Sequence, residues 1–309
     1  MGNPINGSRS TLIFMAEEIK KILLIGADGQ LGTDLVKVLQ KDYELLCPLL
    51  DEFDITHFEK VKEYVKTHAP DLIINTAAFH NTDECEKNPE KSFLVNTFAV
   101  KNLSEICKEK DILLVHISTD YVFGLDEKRR IPYTEEDLPG PVNIYGISKL
   151  AGEYCICYTF EKCFIIRPAA LFGTAGCKEK GRGNFIETML KLAKERKEIK
   201  VKNDEFISPT YTKELAENIA ELIKTPEYGI YHITSQGGCS WYEFAKKIFE
   251  LTNAKVNCQS VSSDEFPTIA KRPRYSILEN KHLKEIGLDK MSHWQDALKK
   301  YLKEKGHIK

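Results

Sequence analysis

Lys21-Ile-Leu-Leu-Ile-Gly-Ala-Asp-Gly-Gln-Leu-Gly32 is the stretch on which the fold turns. Its first five residues form a short apolar run ended by glycine, which predicts a buried strand. Leu31, Leu35, Val38 and Leu39 then recur at helical spacing, so a helix opens directly after the turn. Gly26, Gly29 and Gly32 stand three apart between the two elements. Glycine permits a tight turn and a close backbone approach to a pyrophosphate, and the helix start adds free N–H groups and a positive dipole end. A glycine triple alone is weak evidence; strand before, helix after and N-terminal position make it a dinucleotide fingerprint.

Outward from that turn, strand and helix alternate. The pattern predicts strands at 45–46, 71–75, 112–118 and 163–168, with helices over 58–67, 90–109 and 145–158. Apolar strands with helices between them indicate a Rossmann-type, doubly wound parallel sheet. After Pro168 the rhythm changes. A polar, glycine-rich loop covers 173–183, followed by helices over 184–196 and 213–224 and a strand at 229–234. Ser240 and Glu243 form a capping box for a helix to Thr252. A strand at 256–261 and a helix over 294–304 end the chain. We therefore expect three parts: an extension at 1–19, a dinucleotide-binding domain at 20–168, and a smaller, partly interleaved α/β substrate region at 169–309.

Tyr145 and Lys149 lie four apart on a predicted helix and so share a face. A phenol is a poor acid–base group at neutral pH, and a neighbouring ammonium is expected to lower its pKa. YxxxK is common by chance. Its weight comes from Ile117-Ser-Thr-Asp-Tyr-Val-Phe-Gly124, which sets Ser118 and Thr119 at the carboxyl end of a parallel strand, where such sheets bind ligands. A hydroxyl there polarises the carbonyl that Tyr145 protonates.

The 309 residues carry a formal net charge of −2, which suggests neither a nucleic-acid nor a membrane-surface partner. No apolar run approaches the ~20 residues of a membrane helix. The nine cysteines are scattered with no CxxC pair, as in a cytoplasmic protein of reduced thiols, and no zinc or other metal site is read. No acidic ribose reader and no arginine stand near Cys47-Pro-Leu-Leu50, so NADH and NADPH both stay open.

The chain resembles the dTDP-4-dehydrorhamnose reductases, a branch of the extended short-chain dehydrogenases. The resemblance runs from Lys21 to about Leu302. It is carried by the glycine turn, Asn75-Thr-Ala-Ala78, Ser118-Thr-Asp-Tyr-Val-Phe123, Asn143-Ile-Tyr-Gly-Ile-Ser-Lys149, Gly183-Asn-Phe-Ile-Glu-Thr-Met189, Ser208-Pro-Thr210 and Lys271-Arg-Pro-Arg-Tyr-Ser276. It implies NAD(P)H-dependent reduction of the 4-keto group of dTDP-4-dehydro-L-rhamnose to dTDP-L-rhamnose. Tyr145 would be the proton donor, Lys149 its partner and Thr119 the carbonyl-polarising hydroxyl. Gly26, Gly29, Gln30, Leu31 and Gly32 would line the pyrophosphate and Asp54 and Ile55 the adenine. Ala77, Ala78, Phe79, Asn96 and Ser118 would complete the cofactor site, and Asp120, Asn184 and Arg274 would meet the substrate. A homodimer is also implied. Some relatives hold a magnesium at a dimer interface, for which no ligand set is placed here.

The chain departs from that pattern at Ala170, where many relatives have a tryptophan packed on the sugar. Two alternatives follow: a reductase of another nucleotide-linked keto sugar, or a non-catalytic dinucleotide-binding subunit resembling the regulatory subunit of methionine adenosyltransferase.

Overall fold

The computed structural model describes residues 19–176, 181 and 183–309. Six strands form one parallel sheet: β1 (Lys21–Ile25), β2 (Glu44–Leu46), β3 (Leu72–Asn75), β4 (Leu113–Ile117), β5 (Cys163–Arg167) and β6 (Gly229–His232). Their spatial order is β2-β1-β3-β4-β5-β6, every pair parallel. The chain leaves β1 toward β2 on one side and returns to β3 on the other, so the order reverses between β1 and β3. A crevice at the carboxyl ends of these two strands is where such sheets take ligands.

Strand alternation divides the core in two. Ile22, Leu24, Leu72, Ile74, Val115 and Phe164 face one layer, which holds α1 (Gln30–Leu39) and, far along the chain, Leu215, Ile219 and Leu222. Leu23, Ile73, Leu114 and Ile165 face the other, made by α2 (Phe58–His68), α3 (Ala99–Lys110) and Ile156 of α4 (Ile144–Thr159). Both faces are thus covered, as a parallel sheet requires.

A third core lies outside the sheet. It joins α5 (Phe185–Glu195), α7 (Trp241–Thr252) and α8 (Trp294–Glu304) through Phe172, Ile186, Phe244, Trp294, Leu298 and Tyr301. Between α5 and α7, α6 (Thr212–Leu222) packs on α1 instead. The capping box is present in both directions: Ser240 Oγ accepts from Glu243 N, and Glu243 Oε2 accepts from Ser240 N.

Two expectations are corrected. The helix read over 90–109 is interrupted: Pro89–Phe93 is followed by a π-helical turn, Leu94–Phe98, before α3. A π turn adds a residue to the helical circuit and is frequent at functional sites, and this one carries Asn96. Ile19, placed in the extension, is apolar, stands two residues ahead of β1 and packs against the first core. The remainder of that extension, and part of the 173–183 loop, lie outside the described residues.

Candidate active site

The glycine turn occupies the end of β1, at the crevice. Gly26 has φ +80°, which an L side chain rarely adopts, and a Cβ there would press on Thr76 Oγ1 at the end of β3. A Cβ on Gly32 would overlap the carbonyl oxygen of Gly26. Gly29 N donates to Gly26 O at 3.0 Å, closing the turn, and Gly29 caps α1 without a side-chain bond. The first turn of α1 has no acidic residue, so its N–H groups and dipole meet no competing anion there. This cradle, which any Cβ would fill, fits a dinucleotide pyrophosphate. Leu31 contributes only backbone, because its side chain is in the core. The Gln30 side chain spans to the segment after β5: its Nε2 donates to Leu171 O at 3.0 Å, and its Oε1 accepts from Gly173 N at 3.2 Å.

The other residues assigned to the cofactor divide into two groups. Ala77, Ala78 and Phe79 follow β3 beside the turn. Asn96 clasps Phe79 from the π turn, accepting from Phe79 N and donating to Phe79 O, both at 2.9 Å. The same amide donates to Ser148 Oγ on α4 at 3.0 Å, so it ties the loop after β3 to the helix of Tyr145 and Lys149. Asp54 Oδ1 accepts from Thr56 N and Oγ1, and these hydrogen bonds help hold its pKa below the usual carboxylate range against the upward push of burial. Ile55 is a core residue beside Phe53.

The catalytic candidates meet at the end of β4. Thr119 Oγ1 gives its one proton to Asp120 Oδ1 at 3.2 Å and accepts from Tyr121 N at 3.2 Å. It also bonds the Tyr145 hydroxyl. Tyr121 meets the Tyr145 ring edge-on, centroids 5.9 Å apart. Burial pushes the Tyr145 phenol up, opposed by the Thr119 bond, so it stays protonated at neutral pH. Asp120 is raised to about 6, mainly by burial, while Ser276 Oγ, donating to its Oδ2 at 2.6 Å, and Thr119 pull the other way.

Lys149 corrects one expectation. Its fully buried ammonium position donates to Ile117 O at 2.6 Å and meets His116 Nε2 at 3.1 Å. Burial lowers it to about 7, partly offset by Glu153. Such a group is only about half charged at pH 7, and it is burial that shifts Tyr145 upward rather than downward.

Three further assignments differ from where the side chains go. The Ser118 hydroxyl is turned to Glu153, which also receives Arg167 through Nε at 3.0 Å and Nη2 at 2.6 Å. Asn184 caps α5, accepting from Glu187 N and donating to Gly173 O and Tyr301 Oη, so its polar atoms are taken up by structure. Arg274 pairs with Asp204 and Asp264. Two residues earlier, Arg272 reaches Thr82, Asp83 and Tyr121, beside the catalytic group. Sequence reading missed Arg272, Tyr121, Ser276 and His116. The first three lie within quoted motifs, whereas His116 reads as one more strand residue. Ala170 stands just beyond β5 at φ +40°, an uncommon region for a residue with a side chain.

Among the described residues no group of histidines, cysteines and carboxylates is arranged to hold a metal, and no helix is long and apolar enough to cross a membrane.

Comparison with known proteins places this geometry among relatives. Residues 20–306 match the family model described as RmlD substrate binding domain. The chain is 39% identical to the spore coat polysaccharide biosynthesis protein SpsK of Bacillus subtilis, over 92% of this chain and 98% of that one. It is 36% identical to a dTDP-4-keto-6-deoxy-D-glucose reductase of Streptomyces niveus, over 89% and 94%. Among solved structures, a dTDP-4-dehydrorhamnose reductase from Bacillus anthracis in complex with NADP superposes with a TM-score of 0.87 at 38% identity, covering 93% of this chain and all of that one.

Proposed function

From the premise that the chain belongs to the dTDP-4-dehydrorhamnose reductase family, we propose that it reduces the 4-keto group of dTDP-4-dehydro-L-rhamnose to give dTDP-L-rhamnose. It is an NAD(P)H-dependent oxidoreductase acting on a dTDP-linked keto sugar. The observation that carries the assignment to these side chains is the meeting of Thr119, Tyr145 and Lys149 at the end of β4, two strands from the glycine turn.

When bound, the reduced nicotinamide supplies a hydride to the keto carbon. The chain supplies everything else. The turn at 26–32 and the start of α1 hold the phosphates, and Ala77, Ala78 and Phe79, fixed by Asn96, border the cofactor. Tyr145, kept protonated by burial, gives its proton to the carbonyl oxygen as negative charge develops there. Thr119 turns its hydroxyl from Asp120 to the same oxygen. Lys149 orients the nicotinamide side of the site from the same helix face as Tyr145.

Incubation with NADPH or NADH and dTDP-4-dehydro-L-rhamnose, followed by absorbance of the reduced nicotinamide, tests this; no oxidation with either cofactor sinks it. Ala170 and the Streptomyces niveus relative favour a second reading, in which the sugar is a different dTDP-linked 4-keto-6-deoxyhexose. Faster oxidation with that sugar selects it. An intact Thr119, Tyr145 and Lys149 speak against a non-catalytic regulatory subunit.

We place the enzyme in the cytoplasm, supported by eight cysteines among the described residues that form no disulfide. We also infer a homodimer, supported by exposed Leu94, Phe98, Ile147, Tyr154 and Tyr158 on the π turn and α4. A monomer mass by light scattering would overturn it.

A further inference from the structure

Residues 270–272 reach the active site from the C-terminal part of the chain and grip it at three places. Ala270 N donates to Asp83 Oδ1 at 2.9 Å, in the short helix Thr82–Lys87 that follows β3. Lys271 O accepts from Asn143 Nδ2 at 2.8 Å. The Asn143 side-chain oxygen accepts in turn from Gly146 N at 2.8 Å, the bond that caps α4. Tyr145 is the second residue of that helix, and the first, Ile144, donates its N–H to Glu86 Oε1 at 2.8 Å. Arg272 makes the third grip. Its guanidinium donates to Thr82 Oγ1, to Asp83 Oδ2 at 3.2 Å and to the Tyr121 hydroxyl. A guanidinium has no acceptor, so the Tyr121 oxygen receives that bond. Burial pushes the Tyr121 phenol up to about 12, with Arg272 pulling the other way, so it stays protonated.

Tyr121 is thereby held at both ends. Its backbone carbonyl lies so close to α4 that a Cβ on Gly146 would overlap it. Its hydroxyl is on Arg272. Between these anchors its ring meets that of Tyr145 edge-on, centroids 5.9 Å apart. A tyrosine side chain turns about two bonds, and a contact at its tip fixes both. The planar guanidinium does this because its fork bonds in several fixed directions at once, whereas an ammonium is a point charge on a flexible stem. The Arg272–Asp83 ion pair is partly open to solvent and so adds little to stability; what it fixes is direction. We propose that Arg272 is a positioning residue for Tyr145, acting through Tyr121: the guanidinium, aimed by Thr82 and Asp83, seats the Tyr121 ring against the proton donor. Thr82 and Asp83 follow β3, whereas Arg272 belongs to the C-terminal part, so the donor is aligned only when the two are packed together.

The ring contact is measured without substrate; its weight in turnover rests on the proposed reductase activity. Aromatic NMR of the ¹³C-tyrosine-labelled protein reads the Tyr145 ring, whose signals are assigned by their loss in Tyr145→Phe. We expect Arg272→Met to shift or broaden them. Should that variant not fold, Arg272→Lys, which keeps the charge and loses the fork, takes its place. Unmoved Tyr145 signals overturn the proposal whether or not the protein turns over. Kinetics with NADPH and dTDP-4-dehydro-L-rhamnose give the second measurement. A small misplacement of a reacting group is costly, so we expect the same variant to lose roughly 10–100-fold in kcat with both KM values within about twofold. Tyr121→Phe, which keeps the ring and removes the acceptor, should lose a similar factor. Combining the two substitutions should cost little more than either alone, because they break one unit. An unchanged kcat, a loss confined to KM for the sugar, or losses that multiply in the double variant would each overturn the positioning role.

Discussion

At the residue scale, Tyr145 and Asp120 yield separate expectations. Tyr145→Phe removes the proton that goes to the keto oxygen while leaving the ring that packs edge-on against Tyr121. Turnover should fall by ~10²–10⁴-fold with cofactor affinity near normal, as read by quenching of protein fluorescence on titration with NADPH. Near-normal turnover would refute the donor assignment. Asp120 is raised to about 6 in the folded chain, against about 4 when unfolded. The native state therefore binds more protons over that interval. Its contribution to stability is complete below about pH 4 and is lost as pH rises through about 6. Asp120→Asn should flatten the change in urea midpoint across that window, and an unchanged slope would count against burial as the cause. Tyr145, Lys149 and Thr119 are legible in the sequence because a spacing of four and a strand end locate them. The partners of Lys149 are not. His116 belongs to a run of apolar residues, and its pairing with Asn75 depends on strands 41 residues apart.

At the element scale, the β1 turn and the β5–α4 contact carry the site. A methyl on Gly32 would overlap the Gly26 carbonyl and press on the Ala27 backbone, so Gly32→Ala must shift the turn or the start of α1. We expect a loss of ~1–3 kcal/mol of stability and a much larger loss of NADPH affinity, measured together by thermal shift with and without cofactor. Equal cofactor stabilisation in variant and parent would show that the turn does not hold the phosphates. Glu153 and Arg167 form a buried ion pair that fixes α4 to β5. Arg167→Met leaves a buried carboxylate without its partner and should cost roughly 3–5 kcal/mol. Adding Glu153→Met should recover part of that, a comparison made by chemical denaturation of both variants and the double. Helix and strand positions follow from periodicity almost throughout, because apolar spacing is a local property. The π turn does not, and the Asn96 within it bonds Phe79 and Ser148, both distant in sequence.

At the scale of the whole molecule, the parallel sheet was foreseeable from the alternation of short apolar strands with helices, and its six-strand order follows the reversal at β1. What periodicity cannot supply is which later segments cover the sheet. Leu215, Ile219, Leu222 and Tyr231 join the core beneath α1, although they lie beyond the glycine-rich loop. A fragment of residues 19–168 would therefore leave the face under α1 only partly covered and β5 as a bare edge. We expect it to bind a hydrophobic dye and to lack a cooperative thermal transition. A sharp transition with dispersed amide resonances would show that the first half folds without the second.

The Gln30 side chain behaves as a spare peptide group. Its amide donates to Leu171 O and accepts from Gly173 N, the pattern by which one strand grips its neighbour. The glycine turn after β1 is thereby joined to the first residue of the 173–183 stretch. Glutamate in its place would keep the acceptor and lose the donor, turning a carboxylate oxygen against a carbonyl. The joint would be half undone by exchanging NH₂ for O.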